Sequence, residues 1–137
     1  MAKNIIQQLP RATVFMGVPT LYVRMLQEPQ LSPELCKNMR LFISGSAPLL
    51  TETFNTFKEV IGQSILERYG MSETVMLVSN PYKGKRVGGS VGLPLPGVKV
   101  RVVNEDNKPC KVDEIGGIQV TGPNKYKGYS RMPEKTA

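Results

Sequence analysis

Residues 40–70 read RLFISGSAPLLTETFNTFKEVIGQSILERYG, and this stretch decides the fold class. Arg40–Ser44 is a short apolar run typical of a buried strand. Apolar residues then recur at spacings of four, three and four, which predicts a helix with one buried face that ends at Gly62. The residues of that face are Leu50, Phe54, Phe57 and Ile61. Because Ser64–Tyr69 is again short and apolar, the stretch predicts a strand, a helix and a second strand.

The residues before this stretch extend the same alternation toward the N-terminus. Ala12–Gly17 predicts a further buried strand, and Pro19 suits the first position of a helix. That helix carries Leu21, Tyr22, Met25 and Leu26 on one face. Alternating strands and helices predict an α/β fold with a parallel βαβαβ sheet, in which ligands gather beyond the carboxyl ends of the strands. Those ends are Gly17–Pro19, Ser44–Pro48 and Tyr69–Glu73.

The last third of the chain has a different pattern, rich in glycine, proline and alternating apolar residues. Gly97–Val103 alternates as a half-buried strand does, Asn104–Lys108 predicts a turn, and Gly117–Thr121 predicts the partner strand. The sequence therefore predicts an α/β lobe over residues 1–80, followed by a small antiparallel β lobe over residues 81–137.

Composition and charge disfavour several classes of protein. No apolar run approaches the roughly 20 residues that cross a bilayer, so we expect no membrane span and a cytoplasmic location with Cys36 and Cys110 reduced. The chain lacks histidine, which disfavours a zinc site or a histidine-based catalytic pair. The net charge of +7 suits an anionic partner, but the basic residues are scattered. The pattern therefore disfavours nucleic acid and fits a small ligand that bears phosphate.

Four motifs resemble, in the same order, those of the adenylate-forming family, which includes acyl-CoA synthetases, luciferases and peptide-synthetase adenylation domains. Tyr69–Thr74 (YGMSET) resembles the Tyr-Gly-x-Thr/Ser-Glu element, and Ile43–Leu49 (ISGSAPL) resembles the Gly-Ala-Pro/Ser element. Gly89–Val98 (GSVGLPLPGV) resembles the Gly-x-x-Gly-x-Pro-x-Pro-Gly segment that follows in the family. Gly117–Gly122 and Tyr126–Ala137 (YKGYSRMPEKTA) resemble the stretch that leads to its Thr-Gly-Asp motif. The resemblance implies part of the large N-terminal domain of such an enzyme.

Within this family the chain most resembles the malonyl-CoA synthetase group. Phe15–Tyr22 (FMGVPTLY), Arg40–Leu50 (RLFISGSAPLL) and Leu66–Glu73 (LERYGMSE) carry the closer resemblance. It implies an acid–thiol ligase that activates malonate with ATP, releases pyrophosphate, and passes the acyl group from AMP to CoA. The ligands implied are ATP or AMP, magnesium, and CoA as cosubstrate.

The resemblance also implies which residues bind the nucleotide. Tyr69 is expected to stack on adenine, with the loop at Ser46–Pro48 flanking the base. Ser72 is expected to bond an α-phosphate oxygen and Glu73 to bind magnesium, which makes these two the catalytic residues. The nucleotide-binding residues implied are Ser46, Ala47, Pro48, Glu67, Arg68, Tyr69, Gly70, Met71 and Ser72. Without the resemblance, Tyr69 reads as a core aromatic residue and the Ser72–Glu73 pair as a helix cap.

Arg68 is the residue that the resemblance ties to the choice of substrate. Malonate keeps a second carboxylate after the first is activated, and arginine pairs well with a carboxylate through two hydrogen bonds. The other acyl-site residues implied are Ser44, Gly45, Ser46, Met16 and Met76. Two ordinary interpretations stay open: Arg68 forms a surface salt bridge, for example with Glu67, and the methionines belong to the core.

Several elements of the family are missing from these 137 residues. They are the upstream phosphate-gripping loop, the Thr-Gly-Asp motif, and the C-terminal domain with its catalytic lysine. We therefore expect the isolated chain to be inactive, and its partners to include the remainder of the enzyme. Two alternatives remain: a synthetase for another short or aromatic carboxylic acid, and a non-catalytic module that binds adenine nucleotides.

Overall fold

The computed structural model describes residues 1–136, which form two compact units. The first unit comprises Met1–Tyr69 and Val78–Leu93. The second comprises Gly70–Leu77 and the chain from Pro94 onward. Each unit is therefore built from two separate segments of the chain.

The helices and strands alternate in the first half of the chain, and strands dominate the second. The helices are α1 (Ala2–Gln8), α2 (Pro19–Leu26) and α3 (Thr51–Ile61), with 3₁₀ turns at Leu9–Arg11 and Pro133–Lys135. The strands are β1 (Val14–Gly17), β2 (Leu41–Ser44), β3 (Leu66–Met71), β4 (Val75–Ser79), β5 (Leu93–Pro94), β6 (Lys99–Val103) and β7 (Gly117–Thr121). Strands β1 to β5 form one sheet in chain order, and β6 pairs with β7.

The first three strands are parallel, as the alternation of strands and helices predicts. β1 pairs with β2 so that Gly17 lies opposite Ser44. β2 pairs with β3 so that Ser44 lies opposite Glu67. The predicted α/β fold is confirmed, and Ser44 at the end of β2 lies between Gly17 of β1 and Glu67 of β3.

Helix α1 and strand β4 lie outside the predicted elements. Val75–Ser79 (VMLVS) is an apolar run that directly follows the motif at Tyr69–Thr74, where the sequence predicts a ligand-binding loop. Only three residues separate β3 from β4, and the Thr74 amide donates to the Met71 carbonyl at 3.1 Å. Because so short a connection cannot cross over a sheet, β4 runs antiparallel to β3 and the sheet is mixed.

Aromatic side chains form the centre of the first unit's core. The Phe57 ring of α3 meets Tyr22 of α2 and Phe42 of β2 edge-on, with centroids 5.3 and 4.9 Å apart. All three side chains are fully buried, and the Tyr22 hydroxyl donates to the Ile43 carbonyl at 2.6 Å. The apolar faces of α2 and α3 therefore meet over β2, as their spacing predicts.

The prediction is wrong at Leu50, which was expected on the buried face of α3. Leu50 is 66% exposed, because it precedes the helix in extended backbone with ψ 137°. Its neighbour Leu49 takes the buried position instead, with 2% exposure. At the other end the prediction holds, because Gly62 ends the helix with φ 79° and donates to the Lys58 carbonyl at 2.8 Å.

Strands β6 and β7 form the predicted antiparallel pair of the second unit. Their register runs from Lys99 opposite Thr121 to Val103 opposite Gly117. In the following turn the Asn104 side-chain oxygen accepts hydrogen bonds from two backbone amides, at 3.0 and 3.1 Å. This asparagine therefore fixes the turn that the sequence predicts at 104–108.

Two observations bear on the expectations for a membrane span and for the two cysteines. No helix within residues 1–136 is long and apolar enough to cross a membrane. Cys36 is buried and Cys110 partly exposed, and both are free thiols in the structure.

Candidate functional site

Predicted site residues of the first unit lie beside one another in its parallel strands. Ser44 ends β2 opposite Glu67 of β3, and Met16 of β1 lies opposite Ile43. Gly45 directly follows β2, and Arg68 follows Glu67 within β3. The sheet thus gathers residues that are distant in sequence, as the parallel topology predicts.

The Arg68 side chain extends over Gly45 toward Met16. Its Nη2 lies 3.9 Å from Met16 Sδ. A β-carbon built on Gly45 would lie 2.6 Å from Arg68 Nη1, so glycine leaves the room that the guanidinium occupies. Met16 is 61% exposed and is therefore not a core methionine.

The open interpretation of Arg68 as a salt-bridge residue fails within the described residues. The ion pair found there joins Lys37 to Glu34, and Arg68 has no acidic partner. The adjacent Glu67 carboxylate is instead buried and bonded to the backbone amide of Leu49. The guanidinium of Arg68 is therefore available to an anion from outside this part of the chain.

Glu67 and Ser44 leave polar atoms unsatisfied in the interior of the first unit. Glu67 is 3% exposed, and its Oε1 accepts from the Leu49 amide at 3.1 Å. Burial raises the pKa of the Glu67 carboxyl above its ordinary value. Glu67 Oε2 and the Ser44 hydroxyl are buried without a hydrogen-bond partner in the described residues. Such atoms are rare in native structures and fit a place where a polar ligand group binds.

The loop at Ser46–Pro48 is exposed at each of its three residues. Ser46 has φ 68°, in the left-handed region that residues other than glycine seldom adopt. The next residue, Leu49, is buried, and its backbone amide donates a hydrogen bond to the Glu67 carboxylate. The loop is therefore anchored at its end while its own backbone and small side chains stay open to a ligand.

Tyr69 is the last residue of the first unit's leading segment and is only partly buried. By comparison, Tyr22 is a core tyrosine, because its side chain is fully buried between aromatic rings. The Tyr69 ring stacks on no other aromatic ring among residues 1–136. Tyr69 is therefore less buried than the core residue Tyr22, and its stacking on adenine stays a prediction.

The remaining predicted site residues belong to the second unit, around the turn between β3 and β4. Met71 and Ser72 are exposed, and Met76 is partly buried. No helix follows Ser72, so its interpretation as a helix cap is wrong. A β-carbon on Gly70 would lie 1.9 Å from the Val75 carbonyl oxygen, which explains the glycine of the motif.

Glu73 is held at two points by a later segment of the second unit. The Tyr129 hydroxyl donates to Glu73 Oε1 at 2.8 Å, and the Tyr126 amide donates to the Glu73 carbonyl at 2.7 Å. The Tyr129 hydrogen bond holds the pKa of the Glu73 carboxyl below its ordinary value. The sequence analysis did not identify Tyr129 as a site residue. The available signal was its position in the segment Tyr126–Ala137, which resembles a segment of the family.

Glu73 is the residue of the predicted site that can be tested as a metal ligand. Within residues 1–136, no three or more acidic, cysteine or histidine side chains lie close enough together to hold a metal. Magnesium bound with a nucleotide needs only one or two carboxylates, because phosphate oxygens and water complete its shell. Glu73 is ionised and uses Oε1 for Tyr129, so its second oxygen fits this role.

Comparison with known proteins decides the family. The model of the AMP-binding enzyme family matches residues 3–130. The chain belongs to this family. A probable CoA ligase of Humulus lupulus is 42% identical over 132 residues, which cover 90% of this chain and 22% of that protein. The malonate–CoA ligase of Arabidopsis thaliana is 39% identical and is covered to 21%.

A solved structure shares the fold of this chain. ATP-bound MatB from Rhodopseudomonas palustris superposes with a TM-score of 0.94 at 54% sequence identity, over 99% of this chain and 27% of that one. The chain therefore spans about a quarter of the length of these relatives. Its fold is that of a part of an adenylate-forming enzyme's N-terminal domain, as predicted.

Proposed function

We propose that this chain is part of an ATP-dependent acyl-CoA synthetase that makes malonyl-CoA. In the first step a malonate carboxylate oxygen attacks the α-phosphorus of ATP, which gives malonyl-AMP and releases pyrophosphate. In the second step the CoA thiol attacks the malonyl carbonyl carbon, so that the thioester forms and AMP leaves with the bonding electrons. The family membership of the chain and its similarity to the malonate–CoA ligase of Arabidopsis thaliana support this proposal.

The observation that carries the choice of malonate is the unpaired Arg68. Its guanidinium lies beside Met16 and over Gly45, without an acidic partner in the described residues. The second carboxylate of malonate would supply that partner, whereas acetate or benzoate would leave the cation unpaired. Ser44, Gly45, Ser46 and Met76 are the other residues that we assign to the acyl site.

We assign the nucleotide to the exposed loop and strand ends described above. Tyr69 offers an open ring to adenine, Ser46–Pro48 flank the base, and the buried Glu67 Oε2 is an acceptor for an amino group. Ser72 offers its hydroxyl to an α-phosphate oxygen from an exposed turn. The other residues that we assign to the nucleotide site are Arg68, Gly70 and Met71.

Glu73 is the residue that would hold magnesium together with the phosphates of ATP. Magnesium, when bound, offsets the negative charge of the phosphates as the carboxylate approaches. The chain's own contribution is the Tyr129 hydroxyl, which donates to Glu73 Oε1 and lowers the pKa of that carboxyl. CoA as cosubstrate and a cytoplasmic location belong to the same proposal.

The test is pyrophosphate release by the complete synthetase with malonate, methylmalonate, acetate, butyrate and benzoate. We expect Arg68→Ala to lower kcat/KM for malonate by roughly 100-fold, because the second carboxylate loses its charge partner, and to change acetate use by less than about threefold. Arg24→Ala is the matched control, since Arg24 is exposed on α2 and is not among the residues assigned to the site. Equal losses on malonate and acetate would remove Arg68 from the acyl site and favour another carboxylic acid.

A further inference from the structure

Glu73 lies in a turn that is bonded to a later segment of the second unit, Asn124–Tyr129. The Asn124 side-chain amide donates to the carbonyls of Thr74 and Met76, at 2.5 and 2.8 Å. The Tyr126 amide donates to the Glu73 carbonyl, and the Tyr129 hydroxyl donates to Glu73 Oε1. Two residues of the segment, Asn124 and Tyr126, therefore bond the backbone of the turn, and a third, Tyr129, bonds the carboxylate.

The Tyr129 ring is itself held in place. It packs edge-on against the Tyr126 ring, with centroids 4.9 Å apart and planes at 68°. Its backbone amide donates to the Thr136 hydroxyl at 3.0 Å. The phenol therefore presents its hydroxyl from a fixed position, although the residue is 42% exposed.

A fixed donor matters because Glu73 is otherwise mobile. A glutamate side chain has three rotatable bonds, and ordering it costs conformational entropy whenever a ligand requires one orientation. A hydrogen bond from a held hydroxyl selects one orientation before the ligand arrives, so less entropy is lost on binding. The bond engages one carboxylate oxygen, which leaves the second for another partner.

We propose that Tyr129 is a positioning residue, whose hydroxyl holds the Glu73 carboxylate ready for magnesium-bound ATP. The proposal rests on the proposed function, in which Glu73 binds magnesium. Tyr129 touches neither the reacting carboxylate nor the phosphorus. Its effect is on the affinity for the metal–nucleotide complex.

The test measures ATP binding to the complete synthetase by calorimetry over a series of magnesium concentrations. Tyr129→Phe removes the hydroxyl and keeps the ring that packs on Tyr126. We expect half-maximal ATP binding to require about fivefold more magnesium, because a hydrogen bond to a charged but exposed group is lost. Binding of AMP without magnesium should change less than twofold. Tyr82→Phe, at an exposed tyrosine of the first unit, is the matched control and should leave both quantities unchanged.

Two further variants separate this inference from the function on which it rests. Glu73→Gln should raise the magnesium requirement more than Tyr129→Phe does, and the double variant should add nothing to Glu73→Gln. If Glu73→Gln leaves the magnesium dependence unchanged, the metal role of Glu73 fails, and the role of Tyr129 with it. If Glu73→Gln raises the magnesium requirement and Tyr129→Phe does not, Tyr129 has no positioning role and the proposed function stands. The same conclusion follows if Tyr129→Phe weakens AMP binding without magnesium as much as it weakens ATP binding.

Discussion

At the scale of single residues, Glu67 combines three tasks that its position in the sequence does not reveal. Its carboxylate anchors the Leu49 amide, its second oxygen is buried without a partner, and its backbone carbonyl accepts from Asn80. A glutamate between Leu66 and Arg68 reads equally well as a surface residue. Burial of the carboxylate is therefore a consequence of the fold that periodicity alone could not supply.

The raised pKa of Glu67 predicts a pH dependence of stability. Because the folded state favours the protonated carboxyl, the wild-type protein loses stability as pH rises from the ordinary glutamate value through the raised folded pKa. Glutamine keeps an oxygen for the Leu49 amide and has no charge to bury. We expect Glu67→Gln to become more stable relative to wild type across that window, and to keep a constant difference above it.

Unfolding midpoints between pH 4 and pH 8 test this prediction. Glu59→Gln is the control, because Glu59 is exposed on α3 and should show a flat difference. A difference that falls as pH rises would mean that the Glu67 carboxylate is stabilised in its ionised form, contrary to the burial described above.

At the scale of elements, Asn80 joins β3 to the segment that leads from β4 to β5. Its side-chain amide donates to the carbonyls of Glu67 and Ser90, at 3.0 and 2.6 Å, and its side-chain oxygen accepts from the Val87 amide at 3.1 Å. The residue is 4% exposed. Three backbone groups therefore depend on one buried side chain.

Asn80→Ala should loosen this part of the sheet more than the rest of the molecule. Loss of the side chain leaves buried backbone groups unpaired, at a cost of about 2 kcal/mol, which corresponds to roughly 30-fold faster exchange. Amide hydrogen exchange of residues 66–90 in the complete synthetase measures it, with Asn55→Ala on the exposed side of α3 as control. Unchanged exchange there would show that water replaces the asparagine without loss.

The sequence predicts some elements better than others, for a physical reason. Helices α2 and α3 each bury one face, so apolar residues recur in their sequences with the helical period of about 3.6 residues. The spacing of those apolar residues is enough to predict both helices. The short apolar run of β4 has no such contrast, and the motif before it predicts a loop. The hydrogen bond from Tyr129 to Glu73 spans 56 positions, so only the folded backbone brings its partners together.

At the scale of the whole molecule, the chain covers about a quarter of its relatives and is proposed to act as part of a synthetase. We expect the 137-residue chain alone to make no malonyl-CoA from malonate, ATP and CoA, because the family's phosphate loop and catalytic lysine are not in it. A coupled assay for AMP, with the complete synthetase as positive control, measures this. Turnover by the chain alone would show that its own residues suffice for both steps.

The unpartnered oxygens of Ser44 and Glu67 also bear on how such a protein evolves. A buried polar atom without a partner costs on the order of 1–3 kcal/mol, so replacing Ser44 by an apolar residue of similar volume should raise the melting temperature. Glu67→Gln should raise it as well, because glutamine removes the buried charge and keeps an oxygen for the Leu49 amide. Selection for heat resistance would therefore reach these positions early. The same substitutions would remove the ligand contacts assigned to Ser44 and Glu67. At these two positions, a gain in thermal stability is therefore expected to come with a loss of activity.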